Sequence, residues 1–230
     1  MNESAAGSQT RMVQVRQNVL KHNDLIARVL REKFCGAGVF VVSLVSSPGA
    51  GKTAFLEKLL GMLRERGMRV AALVGDLATE NDAVRLARSG APVKQIITGT
   101  VCHLEAQMVE DAISRAEWQL AELDVLFIEN VGNLVCPASY DLGEALRMVL
   151  LSVTEGEDKP LKYPSIFNTA DVAVVTKMDL AAAAGCDVGL LTRNIHQVRP
   201  GMEVIETSAR THAGLEKIAE LLARRRTLVK

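Results

Sequence analysis

The sequence predicts an α/β fold in which a mainly parallel sheet of about seven strands carries helices on both faces. Three observations predict it. Short apolar runs recur at 39–45, 69–75, 93–98, 123–129, 148–154, 171–177 and 202–207, and they are continuous, as strands covered on both faces must be. Amphipathic stretches with helical spacing separate them. The first run passes through a glycine-rich turn directly into one of those stretches, AFLEKLLGML.

Composition narrows the rest. At 230 residues the chain is long enough for one sizeable core, and it divides into an N-terminal helical arm, residues 1–35, and a single domain, residues 36–230. Charge is balanced at 27 basic and 27 acidic side chains, so no large field is expected to gather nucleic acid or to hold an anionic membrane surface. The opening residues MNESAAGSQTRM lack the apolar core of a secretory signal. No stretch approaches the roughly 20 apolar residues of a membrane span. A soluble, cytoplasmic protein is expected. The cysteines, at 35, 102, 136 and 186, lack the spacing of a disulfide scaffold or a zinc knuckle and default to free thiols.

Taken in order, residues 9–34 place Val13, Leu20, Ile26, Val29, Leu30 and Phe34 among polar neighbours and predict a helix laid on the domain's flank. The strand at 39–45 leads into Ser46-Ser47-Pro48-Gly49-Ala50-Gly51-Lys52-Thr53. In a strand, glycine-rich loop and helix arrangement, backbone N–H groups converge on a phosphate and the helix N-terminus adds partial positive charge. Pro48, Gly49, Ala50, Gly51, Lys52, Thr53 and Ala54 would wrap the phosphates, with Lys52 reaching the β and γ groups and the Thr53 hydroxyl ligating Mg2+. Ser46 stands where the pattern has its first glycine and is expected to loosen the turn. The domain at 36–230 therefore reads as a P-loop NTPase.

Strand 69–75 is followed by Asp76, and strand 123–129 ends in Glu129. A Mg2+ ion bridging β and γ phosphates needs a protein carboxylate, direct or through water. Glu129 is favoured over Asp76, because Glu129 and Gly132 reproduce the Asp-x-x-Gly spacing in which a glycine N–H senses the γ-phosphate; both belong at the carboxyl edge of the sheet. Lys52, Asp76, Glu129 and Gly132 form the expected catalytic set. Asp82 has a local explanation, since Thr79-Glu80-Asn81-Asp82 reads as a helix N-terminal cap.

Cys102-His103 opens a predicted helix at 103–118, and Cys136 lies just past the switch at 129–132. A thiol at a helix N-terminus has a lowered pKa, and the thiolate is the form that binds metal. Thiolate and imidazole suit Ni2+ or Zn2+ far better than Mg2+. Cys102, His103 and Cys136 are three ligands, and adjacent side chains on a helix diverge by about 100°, so a second copy related by two-fold symmetry would complete the shell. A cysteine is commonly a small buried hydrophobe; the placement of Cys136 in the switch itself argues for metal.

After DVAVV comes Thr176-Lys177-Met178-Asp179, a variant of the Asn-Lys-x-Asp guanine motif. Asp179 can accept from guanine N1–H and the exocyclic amine, donors that adenine lacks on that edge. Lys177 would lie along the base plane, and Thr176, in place of the amide, is expected to weaken one loop-bracing hydrogen bond. Thr207-Ser208-Ala209-Arg210 follows the last strand, with Ser208 and Ala209 placed to present a backbone N–H to guanine O6. Together the two loops favour GTP over ATP. The final helix, at 213–226, ends in Arg224, Arg225 and Arg226, cations favoured near a helix C-terminus.

The segments GDLATENDA, TGTVCHLEA, ENVGNLVCPASYDLGE and SVTEGEDKPLKYP resemble the signatures of the nickel-incorporation GTPases of nickel-iron hydrogenase maturation, over residues 39–222. The resemblance implies a SIMIBI-type P-loop GTPase that cycles GTP and GDP with Mg2+. It also implies nickel, or zinc at the same site, held by Cys102, His103 and Cys136, and a homodimer promoted by GTP or metal. A small zinc-containing maturation partner and the hydrogenase large subunit are the implied partners. Many such proteins carry a cysteine-rich or histidine-rich N-terminal nickel segment; MNESAAGSQT has neither, so no second high-affinity site is expected from these residues. Three other readings rank lower. A urease-type accessory GTPase would carry a Cys-Pro-His motif, a metal buffer would use nucleotide only as a structural ligand, and a small-molecule kinase would prefer ATP.

Overall fold

The computed structural model of the chain describes residues 3–78 and 81–227. In chain order the elements are helix α1 (Glu3–Ala37), strand β1 (Phe40–Ser46), α2 (Lys52–Glu65), β2 (Val70–Asp76), α3 (Asn81–Ala87), β3 (Val93–Ile97), α4 (Ala106–Ser114) and β4 (Val125–Glu129). They continue as β5 (Leu146–Ser152), α5 (Lys159–Lys162), α6 (Pro164–Thr169), β6 (Val172–Thr176), α7 (Ala181–Ala184), α8 (Val188–Val198), β7 (Glu203–Glu206) and α9 (Leu215–Thr227).

Among the described residues the strands form one seven-stranded sheet in the order β3-β2-β4-β1-β5-β6-β7, every neighbouring pair parallel. Successive residues of a strand serve opposite faces. Val42 and Leu44 join Phe55, Leu59 and Phe127 against α2 and α9. Val41 joins Leu104, Val109 and Leu126 against α1 and α4, while Val45, Val149 and Val175 meet Phe167 and Ile195 from α6 and α8. The predicted α/β class is what forms, and the continuous apolar runs are its cause: the central strands β1, β4, β5 and β6 are buried along their whole length, while the edge strands β3 and β7 are partly exposed.

Parallel pairing sends every strand's carboxyl end to one edge, where loops of different origin meet. β4 lies between β1 and β2, so Glu129 is flanked by Leu44 on one side and Val74 on the other. That order sets the phosphate loop, Glu129 and Asp76 on three adjacent strands.

The buried face of α1 and the limits of β5 and α4 depart from the sequence-based expectation. Helix α1 buries Asn23, Ala27, Leu30 and Phe34 on successive turns, whereas Val13 and Val29 of the predicted stripe face solvent. Strand β5 begins two residues earlier than expected, because the buried Arg147 within it is paired with Glu144 at 2.6 Å and also donates to the carbonyls of Pro137 and Tyr140. Helix α4 starts at Ala106 and stops at Ser114. Its start is fixed from afar, by Asn23 Oδ1 accepting from Ala106 N at 2.8 Å, and its end by Ser114 Oγ donating back to Glu110 O at 2.9 Å. Of the predicted cap at 79–82, Thr79 and Glu80 lie outside the described residues, and α3 begins at Asn81.

Candidate functional site

The phosphate loop runs from the end of β1 into α2. Gly51, the residue before the helix, has φ 91°, a left-handed conformation that glycine adopts without a Cβ penalty. No side chain caps the first turn of α2, so its N–H groups are left for an anion. Lys52 is buried and donates to Ser46 Oγ at 2.8 Å; burial lowers its pKa, against the pull of Glu129 and Asp82. Ser46 Oγ in turn donates to Ser47 O at 2.6 Å. The serine expected to loosen the turn thus ties it together.

Thr53 Oγ1 donates to Glu129 Oε1 at 2.7 Å. Burial pushes the Glu129 pKa up to about 7, opposed by Lys52 and Thr53. The second oxygen, Glu129 Oε2, is buried with no hydrogen-bond partner. An orphaned carboxylate oxygen beside a threonine hydroxyl is an all-oxygen donor set, which fits Mg2+. Asp76 ends β2, accepts from Ala78 N at 3.3 Å, and shares a cavity of about 560 Å³ with Pro48, Gly49, Gly51, Lys52, Thr53, Ala54, Glu129 and Gly132. Gly132 closes against the loop: a Cβ built there would lie 2.9 Å from Pro48 Cα and 3.0 Å from Pro48 N.

A second cavity, of about 320 Å³, adjoins the first and is lined by Gly51, Ala54, Thr176, Lys177, Asp179, Ala209 and Arg210 among others. Thr176, buried, donates to Ala50 O at 2.6 Å, so the hydroxyl itself braces the phosphate loop where a weakened brace was expected. Lys177, at φ 58°, carries its stem past Gly51 and donates to Gly49 O at 2.7 Å. Ser208 lies behind the wall and donates to Asp179 Oδ1 at 2.6 Å, fixing the carboxylate's orientation.

Cys102, His103 and Cys136 come together outside both cavities, their ligand atoms all within 4.8 Å of one another. The two sulfurs are 3.3 Å apart and Cys102 Sγ is 4.0 Å from His103 Nδ1. This corrects the expected helical placement. Cys102 and His103 precede α4 on an irregular approach, so the angular divergence of helix neighbours does not apply. The Cys136 thiol is pushed up by its hydrogen bond with Cys102 and by burial. Burial lowers the His103 pKa, opposed by Glu105, and favours the neutral imidazole that ligates metal. His103 Nε2 is buried without a hydrogen-bond partner, its nearest carboxylate oxygen being Glu105 Oε1 at 3.5 Å. The ring rests on Tyr140, centroids 3.9 Å apart.

Several residues that hold this arrangement escape sequence reasoning. Asn130 Oδ1 accepts from Leu104 N at 3.0 Å and Asn133 Nδ2 donates to Cys102 O at 3.3 Å. Glu155 accepts from Ser47 Oγ and, at 3.1 Å, from Ser152 N. Asp82 and Arg85 line the phosphate cavity, although Asp82 was explained as a cap. The one available signal was that both asparagines fall inside ENVGNLVCP; their partners are distant backbone groups that no spacing reveals.

Comparison with known proteins places this geometry. The CobW/HypB/UreG nucleotide-binding domain matches residues 40–206. Hydrogenase maturation factor HypB of Azotobacter chroococcum mcd 1 is 46% identical over 221 residues, covering 95% of this chain and 71% of that protein. Hydrogenase/urease maturation factor HypB of Helicobacter hepaticus is 42% identical, covering 93% of this chain and 88% of its own length. Among solved structures, HypB from Helicobacter pylori in complex with nickel superposes with a TM-score of 0.84 at 38% identity, over 90% of this chain and 95% of that one. HypB from Archaeoglobus fulgidus gives 0.80 at 34% identity, over 91% and 100%.

Proposed function

The chain belongs to the CobW/HypB/UreG family of nucleotide-binding proteins, and from that membership we propose that it is a GTP-hydrolysing metallochaperone that binds nickel and assists its insertion into the large subunit of nickel-iron hydrogenase. The observation that carries this reading is that Cys136, on the same loop as Gly132, meets Cys102 at 3.3 Å, so one segment serves both phosphate and metal.

In this reading guanine enters the smaller cavity, where Asp179, held by Ser208, accepts from its N1–H and amine, and the Lys177 stem lies along its plane. Lys52 leaves Ser46 for the β and γ phosphates, joined by the N–H groups of Gly51, Lys52 and Thr53. Thr53 and Glu129, with Asp76 nearby, would hold Mg2+, which when bound offsets charge on the transferring phosphoryl group. Asp76 orients the attacking water, and the Gly132 N–H meets the γ-phosphate. Loss of that phosphate releases Gly132 and with it the segment reaching Cys136. Nickel, the cargo, is held by Cys102, His103 and Cys136, and zinc has the same donor preferences. A second copy, joined in the presence of GTP or metal, would complete the shell. The small zinc-containing partner of hydrogenase maturation would act with it. Among the described residues no helix is long and apolar enough to cross a membrane, which suits loading of a hydrogenase subunit in the cytoplasm.

Single-turnover phosphate release from GTP with Mg2+, beside calorimetric nickel titration, tests the proposal. Lys52→Ala is expected to slow release at least about 100-fold while nickel stoichiometry persists. Cys136→Ala is expected to weaken nickel binding at least about tenfold. Wild-type release no faster than background would leave only a metal-binding module, and unchanged nickel affinity in Cys136→Ala would remove the metal assignment.

A further inference from the structure

A buried amide, Asn130, stands in the wall of the phosphate cavity and reaches the segment that carries the metal cluster. Asn130 follows the last residue of β4, and its backbone N–H still donates to Leu44 O at 3.0 Å, so its main chain is fixed to the sheet. Its side-chain oxygen accepts from two backbone groups, Val131 N at 2.9 Å and Leu104 N at 3.0 Å. A carbonyl oxygen has two lone pairs, and both are committed. Val131 adjoins Gly132, which rests on Pro48 of the phosphate loop. Leu104 adjoins His103. Leu104 is itself fully buried and packs onto Gly75, where an added Cβ would meet its Cγ at 2.8 Å, and Gly75 precedes Asp76. The segment that carries Cys102 and His103 is therefore tied, at one residue, to both strand ends that face the phosphates.

We infer that Asn130 is the positioning residue through which the nucleotide state reaches the metal cluster, an inference that rests on the coupled GTP-and-nickel reading above. When the peptide at Val131 turns with Gly132, the shared oxygen keeps its first bond only by swinging about the side chain's last torsion, and that swing misaligns the second. Leu104 N–H is in a dry setting where an unpaired donor is costly, so its peptide follows the oxygen and carries His103 with it. Asn133, bonded to the Cys102 carbonyl at 3.3 Å, lies on the far side of Gly132 and steadies the other end of the same segment. An amide that only satisfied two buried donors would govern stability and leave the nucleotide dependence of metal affinity untouched.

The test is the ratio of two nickel dissociation constants, from calorimetric titration of nickel chloride into the purified protein with Mg2+ and either GDP or a non-hydrolysable GTP analogue. The wild-type constants are expected to differ by at least about fivefold. In Asn130→Ala the ratio is expected to fall within about twofold of one, with nickel stoichiometry and GDP binding retained. A wild-type ratio of one removes the coupled reading of function itself; a wild-type ratio that survives in Asn130→Ala overturns the role of Asn130 alone. Should that variant fail to fold, amide hydrogen exchange on the wild type decides. Protection at Val131 and Leu104 is expected to change together between the two nucleotide states, and a change at Val131 with none at Leu104 overturns the inference.

Discussion

Gly132 is where the two halves of the site touch. A side chain there would stand 2.9 Å from Pro48 Cα and 3.2 Å from Pro48 Cγ, and the rigid proline ring cannot yield as a flexible side chain would. Gly132→Ala is therefore expected to displace the loop from the γ-phosphate position proposed for it, and a misplacement on the order of 1 Å costs about 100-fold in rate. Phosphate release should fall by that order while GDP, which has no γ-phosphate, keeps its affinity within about threefold; stopped-flow release and fluorescence titration of GDP measure the two, and undiminished release would show the approach to be incidental. At this scale the phosphate loop was legible because its chemistry requires consecutive residues. Ser46 and Thr176, the two departures from the expected motifs, each have a partner: Ser46 Oγ accepts from Lys52 Nζ at 2.8 Å and Thr176 Oγ1 donates to Ala50 O at 2.6 Å. Thr176 is 126 positions from the residue it braces, and nothing in a tetrapeptide announces a bond of that reach. Cys102, His103 and Cys136 are legible as candidate metal ligands by type, but their convergence depends on a loop braced by Asn130 and Asn133.

Elements were legible where burial alone defines them. The strands appear within two residues of their expected limits because continuous apolar runs leave little freedom in placement. Helix α4 was overextended because its boundaries come from tertiary partners. Asn23, on α1, accepts from Ala106 N at 2.8 Å and donates from Nδ2 to Asp141 O at 2.8 Å, so one amide joins α1, the start of α4 and the segment before β5. Asn23→Ala leaves a buried N–H unpaired at the head of α4 and is expected to destabilise the protein by about 1–3 kcal/mol. Urea unfolding measures it. A midpoint shift smaller than about 0.5 kcal/mol equivalent would mean that water or the helix itself replaces the amide.

For the whole molecule, fold class followed from the alternation of runs, but strand order did not, because no local pattern says that β4 enters between β1 and β2. One ion cluster closes the opposite edge. Asp124, just before β4, accepts from Arg69 Nη2 at 3.1 Å and Arg69 N at 2.9 Å, and also from Arg226 of α9. The Arg69 hydrogen bonds hold its carboxyl down at about 2 from an ordinary 3.8. A carboxyl with a depressed folded-state pKa stabilises above its unfolded value and loses that stabilisation as pH falls through its folded value. Asp124 is thus expected to contribute about 1–2 kcal/mol above about pH 4, discounted for the exposed Arg69 side, and to lose it between about pH 4 and about pH 2. The stability gap between wild type and Asp124→Asn should shrink across that window in denaturant unfolding, and a constant gap would sink the assignment.

The insertion of β4 has a consequence for the chain as it is made. β1 and β2 do not pair with each other; each pairs with β4. Until residues 125–129 have left the ribosome, the phosphate loop hangs on one strand and Asp76 on another, with nothing between them, and Cys102 waits for a thiol that has yet to be translated. On the proposed assignments, neither the nucleotide site nor the nickel site can be complete before residue 136 has been made.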